Sequence, residues 1–290
     1  MPVRKLNLCM IAGAFAISCC AAPVSLVIAS PARLDFPETI TIAPRVFTYR
    51  MAGEFTQAGR PVDAPRVAVT RTSVLHIMKQ QVTVAEYDRC VAGTKCTALS
   101  LAAGFDPKLP AVQISWQDAS AYAAWLSAKT GETWRLPTDE EWVFAAGSRF
   151  HDDALPVATS RNPSVRWLAR YEQEFEQEAL DQRPRPAGAF GANEYGLLDL
   201  SGNVWEWTNS CFIRQSLDAK GKPAGVSTEN CGVRAVEGEH RAYVTDFIRD
   251  ARGGGCAAGK PPSNLGFRLV REDNSIATIV SVLRRLMPKY

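Results

Sequence analysis

The chain has 290 residues, 46% of them hydrophobic and 22% charged, with a formal net charge of +3. That length buries a real core and accommodates one large domain or two small ones. A charge so near neutrality excludes the broad basic surface that nucleic acid or an anionic membrane requires, and no repeat or low-complexity run points to a fibrous or disordered chain.

Residues 1–30 read as an export signal. Arg4 and Lys5 precede an apolar run over 6–17, and small residues follow. Cleavage fits after Ala29 or Ala22, with Pro23 weighing against the second. Two other readings stay open: a lipoprotein signal ending at Cys19, and an uncleaved anchor reaching Ile28, since roughly 20 residues span a bilayer. The expected location is therefore outside the cytoplasm, most simply the periplasm, with the protein soluble or membrane-anchored. Export favours disulfides. Beyond the leader the cysteines are Cys90, Cys96, Cys211, Cys231 and Cys256. Pairing Cys90 with Cys96 and Cys211 with Cys231 closes two short loops, each adding about 2–3 kcal/mol if unstrained. Cys256 is then an odd thiol, reactive or buried and inert; its pairing with Cys231, which frees Cys211, is the alternative.

Residues 31–44 are taken as a linker, followed by a strand pair near 45–55 and a weakly alternating strand over 66–78. Three helix starts then share one device. Thr83 with Glu86, Ser115 with Asp118, and Thr138 with Glu141 each place a hydroxyl three residues before a carboxylate, the pattern of a capping box. The helices are expected to stop before Gly93, Gly131 and Gly147. In the second, Ala119, Tyr122, Ala123 and Leu126 form the apolar face. Asp139, Glu140 and Glu141 fall in a first turn, where they favour the helix dipole, so a structural role explains them. Trp142 is assigned to the core. Residues 148–192 read as mostly irregular, and the acidic alternation Glu172, Glu174, Glu176, Glu178 as a solvated face.

The stretch 195–209, YGLLDLSGNVWEWTN, is the densest in chemistry. Gly196 and Gly202 permit turns that other residues resist. Asp199, Asn203 and Glu206 are hard oxygen donors of the kind calcium takes. Trp205 and Trp207 add large apolar area beside them. Two readings stand: a loop wound round calcium, or a glycine-rich turn over a core tryptophan pair.

GNVWEW, with RLPTDEEW upstream and SNLGFRLV downstream, resembles the formylglycine-generating-enzyme (sulfatase-modifying-factor) domain family. The three motifs, in the family's order, cover roughly 46–271. The resemblance implies an α+β fold related to C-type lectins, low in regular structure, with an irregular calcium-binding loop. It places calcium on the side chains of Asp199 and Glu206 and the carbonyls of Gly202 and Val204. A second family calcium site is not expected, because Val165, Arg166, Trp167 and Leu168 stand where its asparagine would be sought. The family domain is set at 45–272, followed by a C-terminal amphipathic helix at 273–290.

The family's enzymes oxidise a client cysteine to formylglycine with oxygen and copper held by two cysteines five residues apart. Soft thiolates suit Cu(I). Counting back from the GFR motif places those positions at Glu239 and Val244, and no cysteine occurs between Gly232 and Gly255. The sequence thus argues against copper. What the resemblance leaves is a groove lined by Trp205, Glu239, His240, Arg241, Tyr243, Asp246, Arg249 and Cys256. There His240 beside Glu239 would serve as a general base, and Arg241 and Arg249 would hold an anionic group; an ordinary salt-bridged strand is the competing reading. Family members lacking the cysteine pair include one kind acting in periplasmic siderophore maturation and one accompanying copper nitrite reductases. The expected function is maturation or modification of an exported client protein or small molecule. The alternatives are a non-catalytic accessory module and, third, a true formylglycine-generating oxidase. In 274–290, Ile276, Ile279, Val280, Leu283, Leu286 and Met287 share one helical face, which folds back on the domain or meets a partner or membrane surface.

Overall fold

The computed structural model describes residues 37–152, 154–155, 162, 164–165, 167–169, 171–172, 183–251 and 264–273. The leader, Glu174, Glu176 and Glu178 of the acidic run, Cys256 and the helix expected at 274–290 lie outside the described residues. Among the described residues no helix is long and apolar enough to cross a membrane.

In chain order the elements are β1 (Thr39–Ile42), β2 (Arg45–Arg50), β3 (Glu54–Gln57), β4 (Arg60–Val62), β5 (Arg66–Arg71), β6 (Leu75–Met78), α1 (Val84–Ala92) and α2 (Trp116–Thr130). There follow β7 (Trp134–Arg135), α3 (Asp139–Ala146), β8 (Trp205–Leu217), β9 (Pro223–Glu237), β10 (Ala242–Thr245), β11 (Leu265–Gly266) and β12 (Val270–Arg271). The class is α+β, as expected; most strands are short, but β8 and β9 run 13 and 15 residues.

The three helices begin where the sequence places them. Each cap hydroxyl accepts the N–H of the third helical residue, whose carboxylate accepts the cap's own N–H. Two otherwise orphaned donors are satisfied at each start. Helix α2 stops at Gly131, whose φ of 76° is left-handed. Its Ala119, Tyr122, Ala123 and Leu126 are buried, and the Tyr122 ring meets Tyr87, Trp125 and Phe267 at centroid distances of 5.8, 5.3 and 5.4 Å. Helix α3 is buried from Glu141 through Ala146 and packs with Ile42, Leu75, Ile77, Leu197 and Val270. A helix apolar on most sides belongs inside.

Strand pairing departs from the sequence reading in three places. Residues 31–44 are not all linker, because β1 lies within them and pairs antiparallel with β6; the domain begins by Thr39. The pair near 45–55 is not a hairpin. Strand β2 pairs with β5, while β3 pairs with β4 and runs parallel to β8. Residues 66–78 form two strands in different sheets, β5 with β2 and β6 between β1 and β12. Local alternation gives a strand its faces but not its partner.

The larger sheet runs β10-β9-β8-β3-β4, with β11 parallel to the start of β8, and the second runs β1-β6-β12-β7. Residues 264–271 join the two. Leu265 and Gly266 pair with Trp205 and Glu206. Four residues later Val270 and Arg271 pair with both β6 and β7. Close approach demands the glycine here: a Cβ on Gly266 would stand 2.8 Å from the Ala111 carbonyl. Both expected disulfides, Cys90–Cys96 and Cys211–Cys231, are formed.

Candidate functional site

Strand alternation at the start of β8 turns Trp205 and Trp207 to one face and Glu206 to the other. The Trp207 indole donates to the Ile114 carbonyl at 2.6 Å. Glu206, 1% exposed, meets Arg268, 0% exposed. Arg268 Nε and Nη2 donate to the two Glu206 oxygens at 2.6 and 2.7 Å. Its remaining bonds reach the carbonyls of Met78, Lys79 and Leu198 at 3.3, 3.2 and 2.9 Å. A guanidinium has five N–H donors, and these bonds use all of them. Gln81 Nε2 and Trp142 Nε1 each add a 2.8 Å bond to Glu206. The carboxylate's four acceptor positions are thereby filled.

This closure bears on calcium. Asp199, also 0% exposed, accepts the Gly188 N–H at 2.6 Å and the Phe190 N–H at 2.8 Å. The Gly202 carbonyl accepts the Val204 N–H at 2.9 Å. The loop does wind tightly, with left-handed φ at Asp199, Ser201 and Asn203. Its charged oxygens nonetheless face protein donors, and the cation opposite Glu206 is Arg268. One buried oxygen in this neighbourhood, Gln81 Oε1, has no hydrogen-bond partner. Calcium takes six to eight oxygens. As arranged, Glu206, the charged ligand on β8, has no acceptor position left for an ion, whereas Asp199 accepts two bonds and keeps two positions.

The residues expected to share a groove are divided among separate environments. Arg241, its side chain 7% exposed, donates to both Asp139 oxygens at 3.0 and 2.9 Å and to Glu237 Oε1 at 2.5 Å. The Tyr49 hydroxyl completes the cluster by donating to Asp139 at 2.5 Å. Burial works against the guanidinium charge, but Asp139 and Glu237 outweigh it and hold Arg241 protonated. Burial, then the Asp139 charge, pushes the Tyr49 phenol well above its usual range. Arg241 is thus held by internal carboxylates rather than presented to an anionic ligand. Tyr243 stands nearby. Its hydroxyl accepts the Gly53 N–H, its ring meets Phe212 edge-on at 5.0 Å, and burial raises its pKa. Arg241 and Tyr243 border a cleft of about 350 Å³ with Arg50, Glu54, Phe55 and Asp63.

Arg249 belongs elsewhere. Its Nε and Nη2 clamp Asp118 at 2.7 and 2.6 Å. Asp118 already closes the α2 capping box, so one carboxylate both starts a helix and anchors the segment after β10. Arg249 borders a smaller cleft of about 160 Å³ with Phe105, Gln113, Asn264 and Leu265. Trp205 lines neither cleft. Its indole donates to the His240 carbonyl at 3.1 Å and meets the His240 ring edge-on at 5.3 Å. Gly238 has no room for a side chain, since a Cβ would stand 2.7 Å from the Trp205 ring. Glu239 and His240 are half-buried beside this contact, and Asp246 donates its N–H to the Gly232 carbonyl at 3.0 Å. The expected arginine clamp is therefore corrected. Arg241 and Arg249 each answer a different helix-starting aspartate, so they do not converge on one ligand. Sequence reasoning missed Gln81 and Glu237, and used Arg268 only as a landmark; the sole signal for Arg268 was a charged residue inside an apolar run.

The fold and this centre define a mixed α+β domain closed by a buried glutamate–arginine pair. A family model, described as the sulfatase-modifying factor enzyme 1-like domain, matches residues 25–273, and the chain belongs to that family. It is 34% identical over 172 residues to the inactive C-alpha-formylglycine-generating enzyme 2 of Bos taurus, covering 54% of each chain. It is 32% identical over 184 residues to the formylglycine-generating enzyme of Streptomyces coelicolor, covering 57% of this chain and 54% of that one. The match spans about half the length of these relatives. Among solved structures it is similar to PvdO from Pseudomonas aeruginosa, with a TM-score of 0.52, 23% identity, and coverage of 82% of this chain and 95% of that one. That likeness concerns the fold.

Proposed function

We propose that this chain is an exported, non-oxidase member of its family that binds and accompanies an exported client during maturation. The observation that carries the reading is the state of its cysteines. All four cysteines among the described residues are joined in disulfides, and Glu239 and Val244 stand where the family resemblance puts the copper thiolates. Val244 is fully buried in β10, paired with Arg234, and a valine offers no ligand atom. The engagement of Arg241 and Arg249 by internal carboxylates supports binding over catalysis. A relative whose name describes an inactive formylglycine-generating enzyme is consistent with loss of the oxidation step.

The test is direct. The purified mature chain is incubated with copper, oxygen and a cysteine peptide of sulfatase type, and the peptide mass is followed. No aldehyde product is expected; formylglycine at a rate above the copper-only control would overturn the reading. A second reading, modification of the client by the chain itself, draws on the half-buried Glu239–His240 pair against Trp205. It requires that His240→Ala abolish client maturation in the cell while the client remains bound. Retained maturation removes it.

A further inference from the structure

The two disulfides sit in unlike surroundings. In Cys90–Cys96, Cys90 is fully buried on α1 and Cys96 is half-buried. Cys211–Cys231 links β8 to β9 at the surface, with Cys211 half-buried and Cys231 exposed. The register explains the exposure. Cys211 pairs with Arg234 and the next residue, Phe212, with Asn230, so residues 231–233 bulge out of the ladder. On its other side the bulge is tied to β10, where Val233 pairs with Thr245; the Gly232 N–H donates to Asn230 Oδ1 and the Asp246 N–H to the Gly232 carbonyl, both at 3.0 Å.

Arg234 lies against this bond. Its Nη1 is 3.1 Å from Cys211 Sγ and donates to the Asn209 carbonyl at 2.9 Å. The guanidinium rests on the Trp116 ring at 4.1 Å, and its Nε is buried without a hydrogen-bond partner. A disulfide sulfur is a weak acceptor for such a donor, whereas a thiolate is a strong one. The positive charge and the Nη1 donor both favour the reduced form of Cys211. Glu229 acts the other way, with a carboxylate oxygen within 4.8 Å of both sulfurs.

We propose that Cys211–Cys231 is a thiol–disulfide exchange site for an external dithiol, with Arg234 stabilising Cys211 as the leaving thiolate. One thiolate of the dithiol attacks Sγ of the exposed residue Cys231. The bond between the two Sγ atoms breaks, and Cys211 Sγ departs with the electron pair toward Arg234. The second thiol of the dithiol gives up its proton and attacks its own sulfur in the mixed disulfide, expelling Cys231, which takes up that proton. Two electrons pass to the protein and the dithiol becomes a disulfide. A leaving thiol of lowered pKa departs faster, so Arg234 acts on rate as well as equilibrium. This site is independent of the client-binding reading.

The full mature chain is equilibrated in mixtures of reduced and oxidised dithiothreitol, its free thiols are trapped with a maleimide, and the labelled cysteines are mapped. Cys211 and Cys231 are expected to open at a reduced-to-oxidised ratio at least about tenfold lower than Cys90 and Cys96. Arg234→Ala is expected to move the midpoint of Cys211–Cys231 about tenfold toward the disulfide, about 30 mV for a two-electron couple. Arg234→Lys recovers part of that shift, and Glu229→Gln moves the midpoint the opposite way. The proposal is overturned if Cys90–Cys96 opens first or together with it, or if Arg234→Ala leaves the midpoint within twofold. It is also overturned if Arg234→Ala shifts both disulfides equally. Should Arg234→Ala fail to fold, Glu229→Gln decides alone: a shift toward the dithiol supports the site, and no shift overturns it.

Discussion

Replacing Arg268 with methionine tests the closed centre most sharply. The change keeps an unbranched side chain of similar reach but removes five donors from a site that is 0% exposed. Glu206 would keep its bonds from Gln81 and Trp142 while losing both bonds from the guanidinium. The carbonyls of Met78, Lys79 and Leu198 would each lose the donor that Arg268 supplies. Breaking a buried pair by removing one partner costs about 3–5 kcal/mol, because an uncompensated charge stays behind. For a domain of this size that lowers the melting temperature by about 6–20 °C. Thermal and urea unfolding of Arg268→Met, Glu206→Gln and the double variant would be compared in chelator and again in excess calcium. The double variant leaves no buried charge at the pair, so its cost should fall short of the sum by at least about 2 kcal/mol. A single-variant loss below about 1 kcal/mol, or strict additivity, would refute the closed network. A loss seen only in chelator would mean that calcium, not Arg268, neutralises Glu206.

Other outcomes follow from the same geometry. For the parent chain, chelation is expected to shift the melting temperature by less than about 2 °C, because protein donors fill the acceptor positions of Glu206; a larger drop reversed by calcium restores the metal site. Thr138→Ala should cost about 1 kcal/mol in urea unfolding through the lost α3 cap, and a neutral result would deny the capping box its role. Glu141 gives a pH test. Burial alone would raise its pKa, but the bonds and charge of Arg135, the Thr138 N–H and Arg71 outweigh it and hold the group below its ordinary 4.5. A depressed folded value makes the contribution fully present above about pH 4.5 and lost as pH falls through the folded value. Glu141→Gln can retain the cap while losing the ion pair, so its stability should fall less steeply below pH 4.5 than the parent's; identical slopes would count against the pair.

What was legible in the sequence was local. The three capping boxes lie within four residues each, and their stops are marked by glycine, so the helices appeared in the right places. Cys90–Cys96 and Cys211–Cys231 close short loops and followed the same logic. Pairings over long distances were not legible. Strand β2 alternates as well for a neighbouring hairpin as for β5, and only the assembled sheet chooses. The expected arginine clamp failed for a related reason. Arg241 and Arg249, eight residues apart, looked like one clamp, but the backbone between them carries β10 and sends them to Asp139 and Asp118 on two different helices. Nothing within either residue's neighbourhood announces a partner more than a hundred residues away. Arg268 was visible as a motif and opaque as a partner, since its bonds to Met78 and Lys79 cross about 190 residues.

The segment 264–271 has a consequence for how the molecule comes into being. It contributes the strand that stands between β6 and β7, and the arginine that neutralises Glu206. Until it arrives, β6 and β7 have no common neighbour, and a carboxylate waits in the forming core without its counter-charge. Contacts of such sequence span form late and slowly. A chain emerging from its amino end therefore holds two unfinished sheets until this segment is delivered. The last strand to arrive is thus the latch of the domain: its docking completes the second sheet and discharges the buried carboxylate in one event.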